Sequence, residues 1–329
     1  MTGIYLLCLQ LWLVFEQFQA VQATQARILI YSRTLGFRHD SIPVAINALK
    51  TKQDSINVAF TSTEDPSQFT DSILSSYDAL VFLSTTGEVL DSDGVASFQK
   101  YLNLGGNFLA IHSASDTLRN TTCYTKELGA VFDYHPALQN FTVDVVGPSH
   151  PSTSMLPAQW NVQDEAYNFE SNPRALGAIV VLSANESSYV DTGVRRFDQG
   201  TPHPTAWYQE RGAGVQQGGA AGRSFYSSLG HLNETWQDEL FMSHILGGIS
   251  WVLQSNTTRA FNSSALVGNQ ANNINITATS TATSKQPTKS TESQASSSLG
   301  IATSPSKLTV VVGTLVVAAL SQFFIKLLT

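Results

Sequence analysis

The chain has 329 residues, 42% of them hydrophobic and 13% charged, with a formal net charge of -7 at pH 7. That content can build a sizeable core, while the acidic balance and the lack of any basic block argue against nucleic acid as a partner. The chain has two cysteines, Cys8 and Cys123.

Residues 1–26 read as a secretory signal peptide, with an apolar core from Ile4 to Phe15 and small-residue processing sites at Ala23 and Ala26. Loss of this segment removes Cys8, so no disulfide can form within the mature chain. The fold must then be held by its core, and Cys123 is expected to be a buried small hydrophobe.

From 27 to 254, apolar runs alternate with helical patterns. "RILIY" (27–31), "INVAF" (56–60), "ALVFL" (79–83) and "NFLAIH" (107–112) show little polar alternation, as parallel strands covered on both faces do. Helices are expected from Pro43 to Thr51, capped by Asp40 or Ser41, and from Ser92 to Leu104, stopped by Gly105 and Gly106. Later strands are expected at 141–146, 178–183, 205–210 and 224–229, followed by a closing helix from Asp238 to Leu253, with irregular stretches at 147–177 and 184–204. The order strand, helix, strand implies an α/β fold with a mostly parallel sheet and helices on both faces. An eight-stranded α/β barrel is the competing architecture.

Residues 255–307 are crowded with Ser, Thr, Asn and Gln, the composition of a disordered, glycosylated stalk. From Leu308 the chain reads "LTVVVGTLVVAALSQFFIKLLT", and together with the small residues around Ser296 it matches a GPI-attachment signal. Ser296 is the expected attachment residue, and a membrane-anchoring helix over 308–329 is the alternative. Seven N-x-[ST] sequons, at Asn120, Asn140, Asn185, Asn233, Asn256, Asn262 and Asn275, suit passage through the secretory pathway. The expected location is the extracellular face of the plasma membrane or the cell wall, with the membrane a partner through the C-terminal lipid anchor or helix.

Ligands of open α/β sheets bind beyond the carboxyl ends of the strands. The polar residues expected there are Arg38, His39 and Asp40 after the first strand, Thr86 and Gly87 after the third, and His112 and Asp116 after the fourth. Later come Glu165, Tyr167, His203 and His231. His112 and His231 each end an apolar strand and are the leading candidates. Asp116 could equally cap a turn. His135 and His150 precede prolines in loops and read as structural or solvated, and His244 reads as a satisfied core histidine.

The blocks "YSRTLGFRHDSIPVAINAL", "FQKYLNLGGNFLAIHSASDT", "HPSTSMLPAQWNVQDEAYNF" and "SSLGHLNETWQDELFMSHILGGISWVL" resemble the ThuA-like (trehalose utilisation) family in order and spacing. The resemblance implies a class I glutamine amidotransferase-like fold with a flavodoxin-like sheet, and a small-molecule carbohydrate as partner. In amidotransferases of that class a cysteine stands on the elbow after the fourth strand. Here "AIHSAS" puts His112 there, and Cys123 comes too late to replace it, so glutamine hydrolysis through a thioester is excluded.

The expected catalytic residues are therefore His112, His231, Asp116 and Glu165, with Arg38, His39, Thr86, Gly87 and Tyr167 holding substrate. Imidazoles and a carboxylate suit acid-base chemistry near neutral pH, and the same set suits a divalent metal; the cofactor is otherwise open. Trp160, Tyr167, Phe169 and Trp207 are candidates to stack on a sugar ring. The expected function is binding, and hydrolysis or isomerisation, of a trehalose-related or oxidised disaccharide. The alternative is a catalytically inactive cell-surface glycan-binding or wall-associated module.

Overall fold

The computed structural model describes residues 24–260 and 265. Most of the expected signal peptide, the sequons at Asn262 and Asn275, the attachment site Ser296 and the apolar tail from Leu308 lie outside the described residues. Among the described residues, no helix is long and apolar enough to cross a membrane.

Strands and helices alternate through the first half: β1 (Ala26–Tyr31), α1 (Ile42–Lys52), β2 (Val58–Thr63), α2 (Asp71–Leu74), β3 (Ala79–Leu83), α3 (Ser92–Asn103) and β4 (Asn107–Ile111). A 3-10 turn (His112–Asp116) and α4 (Thr122–Leu128) follow. Then come β5 (Phe132–Tyr134), β6 (Gln139–Val145), β7 (Gln159–Asp164), β8 (Asn168–Phe169), β9 (Ile179–Ala184), β10 (Pro204–Gln209), β11 (Ser224–Ser227) and α5 (Glu239–Leu253).

The main sheet runs β2-β1-β3-β4-β11-β10-β9-β6-β7, and β5 pairs with β8 apart from it. From β2 to β11 all pairings are parallel. From β11 outward each pairing is antiparallel. Four reversals bring β7 back to the direction of β11, so the end of β7 emerges at the same edge as the ends of β1, β4 and β11. The sheet is open, which excludes the barrel.

The parallel strands read as unbroken apolar runs because each face has its own helical cover. Successive side chains alternate between faces. Ile28 and Ile30 join Val81, Leu109, Ala45 of α1 and Ile245 of α5 in one core. Leu29 and Tyr31 join Phe82, Phe108, Phe98 of α3 and Tyr124 of α4 in the other. In the second core, the Phe82, Phe108 and Tyr124 rings lie 5.1 to 5.6 Å apart, in edge-on or tilted contacts.

Several boundaries differ from the sequence reading, each for a local reason. β2 starts two residues late because Gln53–Ile56 form a 3-10 turn that Asn57 closes in the left-handed region. Asp40 does not cap α1, and Ser41 at the cap position makes no side-chain cap bond, its hydroxyl donating instead to the Gly230 carbonyl at 3.3 Å. The stretch 147–177 is not irregular: it holds β7 and β8. β7 escapes the sequence pattern because it is an edge strand whose outward positions, Gln159, Asn161 and Gln163, are exposed and polar and whose inward face ends on Asp164.

At the amino end, Ala26 is a buried residue of β1 paired with Val58, so processing after Ala23 leaves the strand whole and processing after Ala26 does not. At the other end, the expected stalk does not begin at 255. Thr258 is fully buried, and the amide of Asn107, also buried, donates to its hydroxyl at 2.9 Å.

Glu127 of α4 is fully buried, and its Oε2 accepts from the Gly214 amide at 2.9 Å while Oε1 has no partner. Burial pushes its carboxyl from 4.5 up to about 8. The unfolded chain ionises first as pH rises, so stability falls between about pH 4.5 and pH 8. The loss is on the order of several kcal/mol across that window. Glu127→Gln is expected to flatten this dependence, with an advantage over wild type that is small near pH 4.5 and reaches several kcal/mol near pH 8, measured by urea unfolding at a series of pH values.

Candidate active site at the carboxyl edge of the sheet

β4 ends at Ile111, and the next residue, His112, takes a left-handed backbone (φ 56°). This conformation costs a non-glycine residue about 1–2 kcal/mol. It turns the imidazole back over the sheet edge, where the ring is fully buried. His112 Nδ1 donates to the Ser228 carbonyl at 2.7 Å. A carbonyl only accepts, so Nδ1 carries the proton and Nε2 presents a lone pair. The turn is tied from below: Tyr226 donates to the His112 carbonyl at 3.0 Å, and Tyr124 donates to the Ala114 carbonyl at 2.8 Å.

Two further segments bring side chains to Nε2 of His112, and a third joins them through Glu165. His39, from the loop after β1, places its Nε2 3.0 Å away, and its Nδ1 lies 3.3 Å from the Ser113 hydroxyl. Tyr167 sets its hydroxyl at 3.1 Å and stacks on the ring with centroids 4.9 Å apart. Glu165, just beyond β7, places Oε2 at 3.7 Å. That same oxygen lies 3.1 Å from Nδ1 of His231, which follows β11. His231 Nδ1 is buried and has no hydrogen bond of good geometry despite that approach. His39, His112, His231 and Glu165 thus each offer one donor atom, all within 4.8 Å of one another.

Electrostatics divides the imidazoles into two kinds. Burial pushes His39 down to about 4, and the nearby His231 adds to the shift. Burial, with His39 beside it, holds His112 well below the usual range. Both are neutral near pH 7. His231 moves the other way, raised by the Glu165 carboxylate. Burial would raise Glu165, but His231 and His135 outweigh it and hold the carboxyl below its ordinary value.

Asp164, the last residue of β7, is fully buried and does not face the imidazoles. Its Oδ2 accepts from the amides of Gly230 at 2.8 Å and His231 at 3.3 Å, and its Oδ1 from the amide of Glu165 at 2.8 Å. It therefore fixes the backbone carrying two of the four donors. Gly230 has φ 134°, a conformation open to glycine, and a Cβ there would stand 3.5 Å from that of His112. Burial raises Asp164 to about 6.

A cleft of about 380 Å³ borders the cluster and shares His39 and His231 with it, its lining completed by Phe37, Arg38, Asn233 and neighbouring loop residues. Its volume falls within the small-molecule range. Phe37 is 68% exposed, with its ring edge-on to His39 at 4.8 Å.

Of the residues expected from sequence, His112, His231, Glu165, His39 and Tyr167 are brought together, with His39 among the donors rather than apart as a substrate clamp. Arg38 lines the cleft, though Glu64 holds its guanidinium at 2.7 Å. The others are corrected. Asp116 is paired with Arg119 at 2.7 Å, which also binds Glu170; it neither joins the donors nor caps α4. Thr86 is buried, donating to the Phe37 carbonyl and accepting from the Gly36 amide, and Gly87 is bonded through its backbone to Asp116 and Leu118. Thr86 thus braces the loop that carries His39, and Gly87 the segment that follows the turn after β4.

Trp160, Phe169 and Trp207 are buried core residues, and the phenyl ring that lines the cleft is that of Phe37. His135 is not merely a solvated loop residue, since its Nε2 is 3.5 Å from Glu165 Oε1 and its ring stacks on Tyr167. His203 supports from behind, donating to the Tyr167 carbonyl at 2.8 Å. His150 packs on Tyr208, and His244 is a satisfied core histidine bonded to the Ser152 carbonyl and the Ser227 hydroxyl. Cys123 is buried, and burial raises its thiol.

A family model described as ThuA, trehalose utilisation, matches residues 27–252. Among solved structures, a ThuA-like protein from Bacteroides uniformis superposes with a TM-score of 0.57 at 20% identity, covering 74% of this chain and 98% of that one. A second, from Parabacteroides merdae, gives 0.53 at 16% identity, covering 70% and 90%. At such identities the likeness concerns the fold. No curated protein matches the chain.

Replacing Asp164 with alanine strands three backbone amides, two of them buried, a loss of about 2–4 kcal/mol. Equilibrium denaturation is expected to register it, with Asp164→Asn, which keeps one acceptor oxygen, losing less.

Proposed function

The chain belongs to the ThuA, trehalose-utilisation family, and from that premise we propose that it binds a sugar-derived ligand in the cleft above His39 and His231 and acts on it by hydrolysis or isomerisation. The observation that carries the reading is the convergence of three imidazoles, the Glu165 carboxylate and the Tyr167 hydroxyl beside a small-molecule cleft that two of the imidazoles, His39 and His231, line. Proton transfer near neutral pH needs groups with different charge states at hydrogen-bonding reach. His231 and Glu165 supply a charged pair, His39 and His112 supply neutral rings, and Tyr167 supplies a phenol that burial keeps protonated. A thioester route is absent, because an imidazole holds the elbow and Cys123 is packed away.

The sugar assignment draws on the family and on Phe37. An exposed aromatic face beside polar groups is the usual platform for the apolar face of a pyranose ring. Arg38, Asp40, Asn233 and Glu234 around it offer donors and acceptors for hydroxyls.

The proposal extends to location: export, with tethering at the cell surface through the C-terminal segment. Its support is the terminal sequence signals together with surface placement of the sequon residues Asn120, Asn140 and Asn256. Asn233 lies in the cleft wall, so a glycan there would restrict the site to small ligands.

Titration calorimetry of the full chain with trehalose and related disaccharides, oxidised and unoxidised, tests the reading, with products followed by NMR. Saturable binding with turnover is expected, and Phe37→Ala should weaken affinity several-fold to about tenfold. Binding without turnover would move the protein to the glycan-binding class. Absence of binding by every sugar tried would overturn the assignment.

A further inference from the structure

We propose that His39, His112, His231 and Glu165 form a binding site for a single divalent transition-metal ion. The inference rests on the cleft of the proposed function, but it does not depend on which sugar occupies it.

Two ligand atoms at about 2.1 Å from one ion, subtending 90° to 109°, stand roughly 3.0–3.4 Å apart. Three of the six spacings fall around that value, 3.0 Å between the Nε2 atoms of His39 and His112, 3.1 Å from His231 Nδ1 to Glu165 Oε2, and 3.7 Å from His112 Nε2 to the same oxygen, and all six lie within 4.8 Å, so an ion would draw the donors together slightly. A purely hydrogen-bonded cluster would align protons with acceptors. Instead His231 Nδ1 is buried without a hydrogen bond of good geometry.

The support behind the donors is also that of a metal site. Metal-binding imidazoles commonly donate their other N–H to a carbonyl or carboxylate, which fixes the tautomer and the ring direction. His112 does so to the Ser228 carbonyl, leaving Nε2 free to ligate. His39 has the Ser113 hydroxyl at its distal nitrogen. Asp164 grips the backbone of Glu165 and His231 together, so those two donors move as a unit. The four donors come from loops following four strand ends, and rigid elements hold a coordination set better than a single mobile loop does.

The donor chemistry selects the ion class. Three imidazoles and one carboxylate suit zinc, manganese, iron, cobalt or nickel, whereas magnesium and calcium prefer all-oxygen surroundings. His39 and His231 line the cleft, so the ion would be reached from the ligand's side. Vicinal hydroxyls or a carbonyl of an oxidised sugar are the oxygen donors that such an ion would take.

The test uses the full chain, purified without chelator, then stripped with EDTA and titrated separately with Zn²⁺, Mn²⁺ and Co²⁺. Elemental analysis is expected to find about one ion per chain. Cobalt loading should give visible absorption bands of imidazole ligation, and the midpoint of thermal unfolding should rise with metal concentration. Glu165→Gln and His231→Asn should weaken binding by at least about tenfold, with circular dichroism checking that they fold. Failure of the stripped wild-type protein to bind any of the three ions would overturn the proposal without recourse to a variant. Equal binding by well-folded variants would overturn it too. Sugar binding by protein that takes up no ion would sink the metal and leave the sugar reading standing; stoichiometric metal with no sugar binding would do the reverse.

Discussion

The left-handed turn at His112 is the constraint from which the site follows. β4 lies in the middle of the sheet, paired with β3 on one side and β11 on the other. A residue leaving its end in extended conformation would carry its side chain onto one of the two helical layers. The positive φ redirects it over the strand ends instead. Local strain of about 1–3 kcal/mol persists only where surroundings over-determine it. Here they do, through the Ser228 carbonyl on Nδ1, the Tyr226 hydroxyl on the backbone carbonyl and the Tyr124 hydroxyl two residues on. The phenols of Tyr226 and Tyr124 belong to the aromatic core on one face, so packing of that layer and orientation of the reactive ring are one problem with one solution.

Two adjacent carboxyls at the end of β7 show how environment separates roles. Asp164 is sealed in the interior and bonded to three backbone amides, and burial raises it to about 6. Glu165 turns toward the imidazoles, and His231 and His135 keep it ionised. One holds the loops and the other faces the chemistry. Pairs of titratable groups pushed apart in this way are a common signature of acid-base sites.

Much of this was legible in the sequence because the signals were local. An apolar run that stops at His112 is readable without coordinates, and so is one that stops just before His231. The β1 to β4 alternation was clear since strands buried on both faces are continuous apolar blocks. β7 was hidden by its edge position, and with it the reason Glu165 and Tyr167 belong to the site. The misplaced residues share a cause. Asp116, Thr86 and Gly87 do sit beyond strand ends, but position along the chain says nothing about which neighbour satisfies a side chain, and Arg119, Phe37 and Leu118 claim them. Asp164 stood in the same "DEAYNF" block as Glu165; only the three amides it accepts from reveal its different task.

Cavity size would have directed attention elsewhere. A groove of about 650 Å³ between α1 and α5, lined by residues such as Val44, Asn47, Trp236 and Met242, is larger than the cleft above the histidines. It gathers no imidazoles, and the polar side chains on its walls belong to two amphipathic helices that present them to solvent. The smaller cleft differs in kind. It shares two histidines with a cluster of groups largely withdrawn from water, held by partners behind them, and aimed at one point. Desolvating three rings and a carboxylate costs free energy that a fold does not spend on packing alone, since apolar residues of similar volume would fill the space at lower cost. Concentration of that cost at the edge where four strands end is the physical ground for placing the function there.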